Sequence, residues 1–337
     1  MKTTDFAKYL SDFMTIYLIS ERGFSNNTVK SYRDTFVQFI KYMEDHKRLP
    51  VNKLILNDIT KENVAAFLSW IENERGCSVA TRNGRLAAIH SFIKYVQRIH
   101  PDNLYEFQRI LSIKSKKHTA GKINYLSLDG IKLLLEMPDR YNLYGRRDLA
   151  LLSLMYDTGS RVQEIADLKV ENIHLEKPFF ITIKGKGKKV RNVPMMEEQM
   201  TILRYYMQEN GLLENVCRPY PLFMNNHREQ LTRGGITHIL KKYVEKARKI
   251  NPDIIPETVS CHSLRHSKAM HLLQGGLNII YIRDILGHVS IQTTEVYARA
   301  DSKQKREALE KAYIDVSPKV DPLWEIDKDL LTWLKTF

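Results

Sequence analysis

Apolar residues recur at helical spacing along most of the chain. Between Asp5 and Ser20, the residues Phe6, Tyr9, Leu10, Phe13, Ile16 and Tyr17 share one face of a helix, and Gly23 ends it. Ser25 caps a second helix with a stripe of Val29, Tyr32, Phe36, Phe39, Ile40 and Met43. Thr60 opens a third around Val64, Phe67, Leu68 and Ile71. A fourth begins near Ser78 and carries Leu86, Ile89, Phe92, Ile93 and Val96.

That rhythm fails in RILSIKSKKHTAGKINYLS, where Lys114, Lys116, Lys117 and Lys122 stand in a weakly periodic span. The span predicts a basic interdomain linker over 113–124. Helices resume from Ser127 to Glu136, stopped by Pro138, and from Arg147 to Tyr156, after which Gly159 permits a turn. Ser160 and Gln163 have capping-box spacing, which places Arg161 in the first turn of the next helix. The period then shortens. Pro178 to Lys184 and Val190 to Pro194 read as strands of a hairpin whose turn bears Lys184, Lys186, Lys188 and Lys189.

Helices follow over 197–209 and 235–250, the second dense in cations. The stretch from His262 to Tyr297 then reads as short helices. The first runs to Leu273 before Gly275 and Gly276, the next ends at Gly287, and the last is capped by Ser290 and carries Tyr297. The fold class expected is mainly α with a small antiparallel β-sheet.

Composition permits two domains, because 337 residues with 43% hydrophobic content suffice for more than one core. A net charge of +13 suits a polyanionic partner as well as a merely basic soluble protein. Cys77, Cys217 and Cys261 are too scattered for a disulfide framework or a zinc ribbon. The polar start lacks a signal-peptide core, and no long uncharged run could span a bilayer. A cytoplasmic protein with no membrane association is expected.

The chemistry concentrates in HSLRHSKAMHLL and LGHVSIQTTEVY. Arginine offers a planar fork that fits phosphate oxygens, helix N-termini add unpaired amides, and imidazole donates or moves a proton near neutrality. Tyrosine, with an ordinary pKa of about 10, becomes a nucleophile where cations stabilise its phenolate and a base is near. A metal site is not expected: His262 and His266 are four apart, but no HExxH string is formed.

These segments, with TGSRVQEIADL and ITIKGKGKKVRNVPM upstream, resemble the tyrosine recombinase (integrase) family, which breaks and rejoins DNA through a phosphotyrosine. The resemblance covers most of Tyr125 to Ala300. It implies a helical domain over 1–112 that clasps double-stranded DNA opposite a catalytic domain over 125–300, with a C-terminal helix and tail over 301–337. Arg161, Arg265 and His288 would hold the scissile phosphate, and Glu164 would hold Arg161. His262 would bind the phosphate and take the proton of Tyr297, the nucleophile. Lys186 would protonate the 5′ leaving oxygen, with Lys184 and Lys188 as alternatives.

Lys30, Arg33, Arg82 and Arg85 on the bundle are expected phosphate contacts, and Lys241 and Lys242 on the 235–250 helix are suited to the major groove. No cofactor is implied. The working state would be a homo-tetramer on synapsed DNA, with the apolar tail around Trp324 and Trp333 docking in its own or a neighbouring protomer. A type IB topoisomerase and a non-catalytic DNA-binding protein are the competing readings. Lys268 departs from the family's usual aromatic or apolar residue, and either alters packing or adds a DNA contact.

Overall fold

The computed structural model describes residues 3–117, 123–185, 187, 189–288, 290–300 and 335. The chain divides into two compact units, Met1–Gly121 and Lys122–Phe337. The 301–337 helix and tail, save Lys335, and the hairpin residues Lys186 and Lys188 lie outside the described residues.

The first unit is built from α1 (Asp5–Asp12), α2 (Asn26–Lys47), α3 (Lys61–Asn73), α4 (Val79–Ile99) and α5 (Leu104–Leu111). Thr4, Ser25, Thr60 and Ser78 cap the first four, each side-chain oxygen accepting from a backbone N–H three residues on. Phe6, Phe13, Phe36 and Phe92 form the aromatic centre, with edge-on contacts such as Phe36 to Phe92 at 5.2 Å. Each such pair contributes about 1 kcal/mol beyond the area it buries.

Two expectations fail here for identifiable reasons. Ile16 is 51% exposed, because α1 continues over Phe13–Glu21 as a π-helix and the wider turn brings Leu18 inward instead. Arg82, expected as a phosphate contact, is instead buried at 7% exposure. Its guanidinium donates to the Lys114 carbonyl at 3.2 Å, and Asn83 receives the Lys116 N–H, so the basic segment after α5 is strapped to α4. Arg85 also turns inward, donating to the Ser31 carbonyl and Thr35 Oγ1, both at 3.0 Å. Lys30 and Arg33 remain exposed, Arg33 beside Asp34 at 3.0 Å.

The second unit begins with α6 (Leu128–Glu136), α7 (Leu143–Thr158) and the short α8 (Val162–Ala166). Strands β1 (Ile173–His174), β2 (Phe180–Lys184) and β3 (Val190–Pro194) form one antiparallel sheet in that order. Lys184 pairs with Val190, so the hairpin turn spans Gly185 to Lys189. β1 was not predicted, since two residues carry no periodic signal. Then come α9 (Glu197–Glu209), α10 (Arg233–Ile250), α11 (Cys261–Gln274), α12 (Ile279–Leu286) and α13 (Gln292–Ala300). Helix α11 packs against α7, α12 and α13, and its first half meets the turns that follow α7 and α12. No helix among the described residues is long and apolar enough to cross a membrane.

Candidate active site

The turn between α7 and α8 sets the first arginine. Thr158 ends α7 and Gly159 follows at φ +56, a left-handed conformation that favours glycine. A β-carbon there would lie 2.6 Å from Leu286 Cδ2, so this turn and the end of α12 touch backbone to side chain. Arg161 is the N-cap of α8, one position ahead of the first turn expected for it, and its backbone N–H donates to Glu164 Oε2 at 2.9 Å. The cap is therefore Arg161 with Glu164, which displaces the expected Ser160 and Gln163 pair. The Arg161 guanidinium also donates to Glu164 Oε1 at 2.8 Å.

Glu164 is 6% exposed and holds a second arginine. Arg191, on β3, donates to Glu164 Oε2 at 2.7 Å and Oε1 at 3.2 Å, and through Nε to the Ile285 carbonyl at 2.9 Å. Burial works to raise the Glu164 carboxyl, but the hydrogen bonds and charges of Arg191 and Arg161 outweigh it and hold the group below the ordinary carboxylate range. Arg191 escaped the sequence reading. Its signal was phase: Arg191 and Val193 share the inward face of β3, and an arginine in step with a buried valine implies an internal partner. A β-carbon on Gly185 would lie 3.2 Å from Glu164 Oε1, so the base of the lysine hairpin abuts the same carboxylate.

Arg265 lies one turn into α11 and is 3% exposed. It donates to the Gly159 carbonyl at 2.7 Å and the Leu286 carbonyl at 2.8 Å, which are the C-terminal ends of α7 and α12. Helix C-termini carry partial negative charge and suit a cation. Burial nevertheless pushes the guanidinium down to about 10, assisted by Arg161.

Gly287 closes α12 at φ +67 with Arg191 packed under it, and this aims His288 back toward α11. His288 Nδ1 lies 2.8 Å from Thr294 Oγ1, a fully buried hydroxyl of α13. Burial first, then Arg265, Arg161 and Arg191, push this imidazole down to about 4, so it is neutral at physiological pH. In the tautomer where the Thr294 hydroxyl donates to Nδ1, Nε2 carries the proton and is the nitrogen free to donate to an anion.

Tyr297 is 4% exposed and sits in a small apolar cluster with Met270, Leu273, Ile282 and Leu286. Its hydroxyl meets His266 Nδ1 at 2.8 Å. The sequence offers His262 as the partner of the tyrosine and gives His266 no part in the chemistry. The two histidines stand one helical turn apart with their rings 5.9 Å apart and nearly parallel. His262, the exposed one, lines a cavity of about 200 Å³ with Arg161, Arg233 and Cys261. Burial holds the Tyr297 phenol above its ordinary value, while Arg265 and Arg161 pull it back.

Arg161, Arg265, His262, His288 and Tyr297 thus converge around the first half of α11. Lys30, Arg33, Arg82 and Arg85 belong to the other unit. Lys241 and Lys242 are both exposed on α10, and Lys242 also leans over the Tyr243 ring at 4.7 Å and lies 3.8 Å from Asp148. Lys268 turns inward to Asp157 at 3.8 Å and over the Tyr156 ring at 5.0 Å, which resolves its departure as packing.

The sequence profile of the phage integrase family matches residues 124–304, and that of the phage integrase N-terminal SAM-like domain matches residues 12–100. A putative integrase/recombinase, y4rC of Sinorhizobium fredii, is 34% identical over 337 residues, covering 99% of each chain. The tyrosine recombinase XerD of Listeria monocytogenes is 33% identical over 290 residues, 86% of this chain and 92% of that one. Among solved structures, the XerH site-specific recombinase bound to its difH substrate in a pre-cleavage complex is 26% identical. It covers 83% of this chain and 78% of that chain at a TM-score of 0.62. Lambda integrase (75–356), solved as a dimer bound to a core site, shares the fold at 15% identity and a TM-score of 0.64, over 93% of this chain and 99% of that chain.

Proposed function

This chain belongs to the phage integrase family, and we propose that it is a site-specific tyrosine recombinase whose nucleophile is Tyr297. The enzyme cleaves double-stranded DNA, holds the end as a 3′-phosphotyrosyl bond and rejoins it to another strand. One observation carries the residue assignment: a buried tyrosine lies beside two arginines and two imidazoles, contributed by four separate segments around α11.

Arg161 and Arg265 take the nonbridging oxygens of the scissile phosphate, with His262 and the His288 Nε2–H as further donors. Their positive field is fixed before the phosphate arrives, so the charge that grows in the transition state meets oriented donors without reorganisation. The Tyr297 oxygen attacks phosphorus, the P–O5′ bond breaks, and Lys186 supplies the proton to the departing oxygen. Gly185, at the base of the lysine hairpin, lies against Glu164. Energy of the broken bond is retained in the phosphotyrosyl link, so the reverse step needs no nucleotide.

Lys30, Arg33, Lys241 and Lys242 are the phosphate contacts that the exposed surfaces favour. The enzyme acts in the cytoplasm as a homo-tetramer on synapsed DNA and serves a mobile element or the resolution of replicons. Wild type and Tyr297→Phe would be incubated in EDTA with a nicked duplex selected from a randomised pool by covalent capture. A protein–DNA adduct from the wild type alone is the expected result. Loss of the adduct in both proteins on DNA they bind would remove the catalytic reading, and relaxation without strand exchange would favour a topoisomerase.

A further inference from the structure

We propose that His266, rather than His262, receives the Tyr297 proton during DNA cleavage. The inference rests on Tyr297 as the nucleophile and assigns a group to the proton that this nucleophile must lose.

Distance and burial carry the argument. His266 Nδ1 is 2.8 Å from the tyrosine oxygen, and that oxygen belongs to a residue only 4% exposed. Bulk water therefore has poor access to this proton, and a base already in hydrogen-bond contact is the direct route for it. His262, by contrast, is exposed at the N-terminal end of α11 and lines the cavity with Arg161 and Arg233, the side proposed for the phosphate. The i, i+4 pair thus divides its labour along one helix face, with His262 toward phosphate and His266 toward the nucleophile.

The surroundings suit a transient acceptor. Helix α11 itself brings His262 and Arg265 near His266, the turn after α12 brings His288, and α13 brings Tyr297 and also carries Glu295, while Arg161, ahead of α8, acts on Tyr297 and His288. Burial, His262 and Arg265 all hold His266 below its ordinary value, so the free enzyme presents a neutral imidazole that accepts from the phenol. The same neighbours make the imidazolium a ready donor. When the phosphotyrosyl bond is broken in rejoining, the proton returns from His266 Nδ1 to the phenolate oxygen. The balance in the forward step is complete. The Tyr297 O–H bond breaks with its proton moving to His266, Oη–P forms, and P–O5′ breaks with its electron pair on the leaving oxygen.

The test uses full-length protein and the nicked duplex selected for adduct formation, made with sulfur at the 5′ bridging position. A thiolate leaves without a proton, so the pH profile reports the nucleophile side alone. Wild-type cleavage is expected to fall on the acid side, as His266 is protonated. His266→Gln, which keeps a hydrogen-bonding group near the tyrosine, is expected to cleave 10²- to 10³-fold more slowly and to lose that acid limb. His262→Gln should keep the limb. DNA binding and circular dichroism of both variants establish that they are folded. A near-normal rate with the limb intact in His266→Gln would assign a structural role and overturn the proposal, as would loss of the limb in His262→Gln alone. Absence of any wild-type adduct would overturn the function and this assignment together, whereas an unchanged His266→Gln beside an active wild type overturns this assignment alone.

Discussion

Arg161, ahead of α8, keeps about a third of its side chain in solvent and rests on the Glu164 carboxylate, while Arg265, inside α11, is 3% exposed and rests on two helix-end carbonyls. Both are proposed to clamp the same phosphate. The difference lies in what each leaves for an anion. A carboxylate neutralises much of the charge it holds, whereas carbonyl dipoles orient a guanidinium and leave its full charge uncancelled. Arg265 is thus expected to be the stronger clamp and the more expensive residue to fold, in keeping with a pKa pushed down to about 10 by burial. Arg161 is cheaper to place and open to exchange between Glu164 and substrate.

Replacing each arginine by lysine would break this comparison most sharply. Lysine has no planar fork to span the Gly159 and Leu286 carbonyls while still meeting a phosphate. Arg265→Lys is expected to slow adduct formation roughly 10³-fold and to lower the thermal midpoint. Arg161→Lys keeps an ion pair with Glu164, so a fall of roughly 10²-fold with an unchanged midpoint is expected. Equal effects of the two on rate and midpoint would show that the two modes of support are interchangeable.

Glu164→Gln sharpens the arginine side of the contrast by leaving Arg161 and Arg191 without their shared anion. A loss of about 3 kcal/mol is expected at pH 7, read from urea unfolding. The pH dependence has a definite sign. Because the folded Glu164 carboxyl lies below its unfolded value, its stabilisation is complete above the ordinary carboxylate range and disappears as pH falls through the folded value. Wild type and variant should therefore converge in acid, and a gap that stayed constant would mean that Glu164 acts through shape and not charge.

Lys268→Met gives the smallest effect. Asp157 is buried, and burial already holds its carboxyl above the ordinary value against the pull of Lys268. Removing the lysine raises it further, which penalises folding as pH rises through the carboxyl's range. About 1 kcal/mol of destabilisation is expected at pH 8, less at pH 5, with DNA affinity unchanged. Weaker DNA binding at constant stability would instead make Lys268 a contact residue.

Much of the site was legible because its parts have local causes. Helix caps at Ser25, Thr60 and Ser78, the glycine turns at Gly159 and Gly287, and the hairpin of β2 and β3 all follow from residues within a few positions of one another. Arg191 and His266 were not legible in the same way. An arginine on a strand and a histidine on a helix have many fates, and only the partner across the fold decides among them. Arg82 and Arg85 differ in the opposite direction: cations on a helix face are expected to meet phosphate, and the acceptors that draw them inward come from Lys114, Ser31 and Thr35, segments distant along the chain.

By itself the sequence determined the helical periodicity, the short sheet, the basic charge and the order of Arg161, Lys186, His262, Arg265, His288 and Tyr297 along the chain, because these depend on residue type and spacing. Tertiary structure alone decided that Glu164 holds two arginines, that Arg265 bridges the ends of α7 and α12, and that Tyr297 bonds to His266. The physical reason is that hydrogen bonds and desolvation act over a few ångströms in space. The groups they join here are separated by up to 106 residues of chain.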